Sequence, residues 1–121
     1  MIYFDNAATG GFKPYAVHSA TETTMKYLLS NPARSAHRLA SAGAEIVFNC
    51  RKILAENFNT SPEKCIFTKN CTEALNTAIF GSLKKGGHVI TTVYEHNSVL
   101  RPLWKLYSEG VISLDIVEGT K

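Results

Sequence analysis

Two short stretches of the chain hold residue types that can do chemistry at a useful spacing. The first is Asn70-Cys71-Thr72-Glu73, which follows the apolar pair Ile66-Phe67 and opens a run with Ala74, Leu75, Ala78, Ile79 and Leu83 at helical spacing. A strand that breaks into a helix leaves the first helical N–H groups unpaired. It also sets the positive end of the helix dipole at the edge of the sheet, where anions bind readily. Phosphate suits that place, because backbone N–H groups of Asn70, Cys71 and Thr72 would face it and Thr72 adds a hydroxyl. The same residues also read as a simple helix cap through Asn70 or Thr72, and the local sequence leaves both readings open. The second stretch is Glu95-His96-Asn97, directly after the apolar run that ends at Thr92. Taken alone, His96 reads as an ordinary polar residue.

The elements that must position these residues follow from periodicity. Residues 2–4 are short and extended, and Asp5 to Gly11 is a small, polar loop. Pro14 suits the first turn of a helix carrying Val17, Ala20, Thr24 and Leu28, which ends before Asn31-Pro32. Ser35 is the expected N-cap of the longest helix, with Leu39, Gly43, Ile46, Cys50, Ile53 or Leu54, and Phe58 as its apolar stripe. Arg34 and His37, at its entry, read as surface and cap residues. A turn at Pro62 leads to a strand over 65–68, a helix over 72–83 closed by Lys84-Lys85-Gly86-Gly87, and a strand over 88–92. Asn97 or Ser98 then caps a helix with Leu100, Leu103 and Leu106 or Tyr107, in which Pro102 is expected in the first turn. Gly110 closes this helix before a strand over 111–117. Strand, helix, strand, helix, strand predicts an α/β fold with a mainly parallel sheet and flanking helices. Both polar stretches then fall at the carboxyl ends of strands, where such sheets bind ligands.

Composition narrows the classes of function. A chain of 121 residues that is 45% hydrophobic has a globular balance, and its net charge of +3 is scattered, with Lys84-Lys85 the only adjacent basic pair. Nucleic acid is not an expected partner. No apolar run reaches the roughly 20 residues of a membrane span and no signal peptide opens the chain, so no membrane partner and a cytoplasmic location are expected. Cys50, Cys65 and Cys71 show no C-x-x-C pairing, which argues against a disulfide framework or a metal knuckle.

Four motifs in order carry a family resemblance: Tyr3-Phe4-Asp5-Asn6-Ala7-Ala8-Thr9, Asn31-Pro32-Ala33-Arg34-Ser35-Ala36-His37, Asn70-Cys71-Thr72-Glu73-Ala74-Leu75-Asn76, and Val89 to Leu103 with Glu95-His96-Asn97 inside it. With these the chain, from Ile2 to about Val117, resembles the amino-terminal part of a class V aminotransferase of the cysteine desulfurase and selenocysteine lyase group. The resemblance implies pyridoxal 5'-phosphate (PLP) as cofactor. Cys71 and Thr72 would hold its phosphate, and His96 would stack on its ring and assist proton movements. Asn6, Ala7 and His37 would lie near the active-site mouth, although Gly10-Gly11 departs from the family's more polar pattern in that loop. It implies an extended segment and active-site loop over 1–13 and a partial PLP-binding domain over 14–121.

The resemblance also implies a homodimer, cysteine or selenocysteine as substrate and a sulfur-acceptor protein. In this family the lysine that bonds the cofactor, the acid facing its pyridine nitrogen and the sulfur-carrying cysteine all come later than position 121. The chain therefore reads as a truncated piece, inactive alone, of a parent that turns cysteine into alanine and an enzyme persulfide. Two alternatives stand beside it: a class V aminotransferase for another amino acid, and a non-catalytic domain used for association.

Overall fold

The computed structural model describes residues 2–28, 30–32 and 37–119. The chain forms two compact units, Met1–Cys65 and Ile66–Lys121.

In the first unit, residues 5–11 form the expected loop. Asp5 O accepts the N–H groups of Ala8 and Thr9 at 3.1 and 3.2 Å, and the Tyr3 hydroxyl donates to Thr9 O at 2.9 Å. Gly11 lies so close to the Tyr3 ring that a Cβ there would stand 2.7 Å from it, which gives the departure at this position a packing reason. Helix α1, Tyr15–Tyr27, starts directly after Pro14, but its weak apolar stripe buries nothing.

Helix α2, Arg38–Asn57, begins later than expected. His37 is the N-cap, its Nδ1 accepting the Ala40 N–H at 3.3 Å; Arg34 and Ser35 lie outside the described residues. The buried face of α2 also differs from the expected one. Ala40 and Ala55 are buried, and Ala44 and Val47 are half-buried, whereas Leu39, Ile46, Cys50, Ile53 and Phe58 are exposed. Small side chains decide this, because Ser30 O and Pro32 Cβ come to 3.5 and 3.7 Å of where a Cβ on Gly43 would stand. The helix ends in a Schellman turn: Asn59 takes φ 49° and the Thr60 N–H reaches Ala55 O at 2.9 Å. A 3-10 turn, Pro62–Lys64, follows.

The second unit is α/β, with helix α3 (Cys71–Ser82), strand β1 (Gly87–Thr92), helix α4 (Asn97–Ser108) and strand β2 (Ile112–Val117). β1 and β2 are parallel, in a register that pairs Gly87 with Ile112 and Thr91 with Ile116. The residues 65–68 carry no strand. A strand is defined by the neighbour that shares its ladder, and among the described residues the only ladder joins β1 to β2. Ile66 and Phe67 are accordingly exposed.

Leu103, Leu106 and Ile112 form the core of this unit, with Ile79, Leu83, Val89, Val99 and Leu114 packed around them. α4 places Leu103 and Leu106 three residues apart on one face, which lies against β2. Pro102 is the sixth residue of α4, not part of its first turn. It therefore removes an interior N–H that would have met Ser98 O, and the residue is buried against the unit. Gly110, at φ 67°, closes α4 as expected: its N–H reaches Tyr107 O at 3.0 Å and the Val111 N–H reaches Leu106 O at 2.9 Å. The glycines after α3 act otherwise. Leu83 caps α3 in extended backbone, and Gly86, at φ 83°, turns the chain into β1. Among the described residues no helix is long and apolar enough to cross a membrane.

Candidate functional site

The N-terminus of α3 is built by two reciprocal bonds. Asn70 Oδ1 accepts the Glu73 N–H at 2.9 Å, and Glu73 Oε2 accepts the Lys69 N–H at 2.7 Å. This is a capping box displaced by one residue. It leaves Cys71 and Thr72 as the first two helical residues, whose N–H groups have no intrahelical acceptor by position. The cap reading of Asn70 and the anion reading of Thr72 are thus compatible, since different N–H groups serve each.

The N-terminus of α4 departs from expectation. His96 itself is the cap: its Nδ1 accepts the Ser98 N–H at 3.1 Å and lies 2.7 Å from Ser98 Oγ. A ring nitrogen used as an acceptor carries no proton, so the neutral imidazole of His96 holds its proton on Nε2. Ser98 is buried and fixes the ring, while His96 remains exposed.

These two helix starts meet in one cleft of about 460 Å³. Thr72, Asn76 and Phe80 line it from α3, at successive four-residue steps, and His96, Asn97, Ser98, Arg101, Pro102 and Lys105 line it from α4. Its size falls within the range of small-molecule sites. Cys71 is exposed at the head of α3 but is not on the cleft wall. Asn76 lines the cleft, and its Nδ2 donates to Thr72 O at 2.8 Å. Phe80, Arg101 and Lys105 were not singled out in the sequence, and Asn97 was read there as a cap candidate within Glu95-His96-Asn97. Their signal is the shared four-residue spacing of Asn97, Arg101 and Lys105, which matches that of Thr72, Asn76 and Phe80 on the facing helix.

Asn6, Ala7 and His37 belong to the first unit. Asn6 Oδ1 accepts the Gly11 N–H at 3.2 Å, Ala7 is exposed in the same turn, and His37 caps α2. Among the described residues no group of three or more His, Cys, Asp or Glu could hold a metal ion.

The donor set of the cleft fits a flat, anionic ligand: a hydroxyl and unpaired N–H groups at one helix start, an exposed imidazole held at fixed tilt at the other, and two cationic side chains with no carboxylate on the wall. The family model for aminotransferase class-V matches residues 2–121. The cysteine desulfurase IscS of Vibrio atlanticus is 39% identical over 114 residues, 90% of this chain and 28% of the relative. The apo structure of a cysteine desulfurase from Thermococcus onnurineus superposes with a TM-score of 0.86 at 34% identity, over 98% of this chain and 30% of that one. A third structure, SspA in complex with cysteine, superposes with a TM-score of 0.71 at 28% identity, over 88% of this chain and 31% of that one. The chain thus spans less than a third of the length of the proteins it matches. Across that span, by sequence and by fold, it belongs to the class-V aminotransferase family.

Proposed function

We propose that this chain is the amino-terminal portion of a PLP-dependent cysteine desulfurase, and that the α3–α4 cleft is the side of its active site that holds the cofactor. The observation that carries this reading is that Thr72 and His96, from separate helix starts, line one cleft. The Thr72 hydroxyl and the first N–H groups of α3 hold the phosphate, with the dipole of α3 adding to the attraction. The exposed face of the His96 ring supports the pyridine ring, and its Nε2 holds a proton that it can pass to or take from a reacting group. Ser98 keeps that imidazole in one tautomer and one tilt.

When bound, PLP supplies an electron sink at the substrate. The overall change proposed for the parent is cysteine plus an enzyme thiol to alanine plus an enzyme persulfide: the substrate C–S bond breaks and an S–S bond forms. Neither Cys50, Cys65 nor Cys71 lines the cleft, which supports a thiol outside this portion as the sulfur carrier. A sulfur-acceptor protein and a homodimeric parent complete the reading. Selenocysteine differs from cysteine by one chalcogen atom and is the second substrate of this proposal.

PLP titration of the purified chain, followed by absorbance and fluorescence, tests the site. Thr72→Ala and His96→Ala should each weaken binding about tenfold, the worth of one hydrogen bond to a charged group or one stacked ring. Wild-type affinity in both variants would overturn the reading. Borohydride reduction with peptide mapping should show no stoichiometric label on Lys69, which is absent from the cleft wall and whose backbone N–H is bound to Glu73.

A further inference from the structure

Arg101 is the charged group of the cleft that the reading above leaves without a task. The two cations of the wall are in different situations. Lys105 Nζ lies 4.0 Å from Glu109 Oε1 and 6.0 Å from the centre of the Phe80 ring, so its charge is partly met within the unit. Arg101 is exposed and has no ion-pair partner among the described residues. None of the five acids of this unit lies on the cleft wall: Glu73 is bonded to the Lys69 N–H, Glu109 meets Lys105, Asp115 meets His88 at 2.9 Å, Glu95 lines a separate cavity bounded by α3, β1 and α4, and Glu118 is exposed just past the end of β2. The cleft wall carries no carboxylate to neutralise the guanidinium.

Position along the helix then selects the target. Arg101 stands five residues beyond the His96 cap, roughly 7.5 Å along the axis at 1.5 Å per residue. Long helical side chains lean back toward the N-terminus of their own helix. Phe80 and Lys105 meet farther along the two helices, so that lean carries Arg101 toward the end where Thr72 and His96 stand. A guanidinium offers a planar fork of donors that matches phosphate oxygens two at a time.

We infer that Arg101 is a phosphate ligand of this cleft, contributed by α4 and facing the donors of α3 across the bound anion. The inference rests on the cofactor reading above and adds a residue to it.

Equilibrium binding to the purified chain distinguishes the two. Arg101→Met should weaken both PLP and inorganic phosphate about tenfold and leave pyridoxal, which has no phosphate, unchanged. Arg101→Lys should recover part of the loss, as a point charge without the fork. Lys85→Met, an equal loss of charge off the cleft, should change none of the three. Because Arg101 is exposed, its variants should keep the wild-type circular dichroism spectrum. If Arg101→Met binds PLP and phosphate as wild type does while Thr72→Ala loses them, the role of Arg101 is overturned and the cofactor reading stands. If Thr72→Ala and His96→Ala also bind as wild type does, the cofactor reading falls with it. Equal loss of PLP and pyridoxal in Arg101→Met would likewise overturn a phosphate role.

Discussion

At the scale of single residues, two helices of the chain are capped by imidazoles and one by a carboxamide. The sequence pointed to Ser35 as a cap, with His37 beside it also read as a cap residue, and to Asn97 or Ser98; His37 and His96 are the residues that accept the cap N–H groups. A neutral ring nitrogen is as good an acceptor as a serine oxygen, and propensity alone ranks it lower. The consequence for His96 is chemical, since capping through Nδ1 fixes which nitrogen holds the proton. Asn70 was legible as a cap because Asn followed three residues later by Glu is a sequence-level start signal. Asn70→Ala should cost about 1 kcal/mol of stability and Asn70→Asp should stay near wild type, both readable in urea melts of the chain. A loss of under a few tenths in Asn70→Ala would show that Glu73 N–H finds water as readily as Oδ1.

At the scale of elements, the helix that buries most is α4. Leu103 is 3% exposed, at the centre of the small core with Leu106 and Ile112. Leu103→Ala should cost about 3 kcal/mol, within the usual range for buried leucine, and should show as a drop in the thermal midpoint. Gly110 sits at φ 67° in the turn that sends α4 into β2. Gly110→Ala, with open space around the new methyl group but a left-handed backbone, should cost about 1 kcal/mol through conformation alone. An unchanged midpoint for Gly110→Ala would mean the turn relaxes to negative φ. Helices α3 and α4 and both strands were legible from period and punctuation. The strand at 65–68 was not borne out, because an apolar run has no way to encode whether a neighbouring strand is there to pair with it.

At the scale of the whole molecule, the chain buries little. Among the described residues the buried hydrophobic side chains are Ala40, Ala55, Leu103, Leu106 and Ile112, while Ile46, Phe48, Ile53 and Phe58 of the α2 region and Ile90 and Val117 of the sheet stand exposed. Apolar surface and unpaired strand edges recruit other chains. In line with the association proposed above, light scattering should show a dimer or larger species whose mass rises with concentration. Ile53→Lys with Phe58→Lys should shift it toward monomer. A constant monomer mass across a wide range would overturn that expectation.

The sequence by itself determined the family, the α/β class, the order of helices α1 to α4 with strands β1 and β2, and the two polar stretches that open α3 and α4, because these depend on local spacing and on short motifs. Only the tertiary structure decided three further matters. It buried the small-residue face of α2 in place of its large apolar stripe, since Gly43 and the alanines admit the closest backbone approach. It made His96 a cap with a defined tautomer, since that depends on where the Ser98 N–H points. And it set Arg101 in the same cleft as Thr72, since two residues 29 positions apart in sequence share a cleft only once α3 and α4 pack side by side.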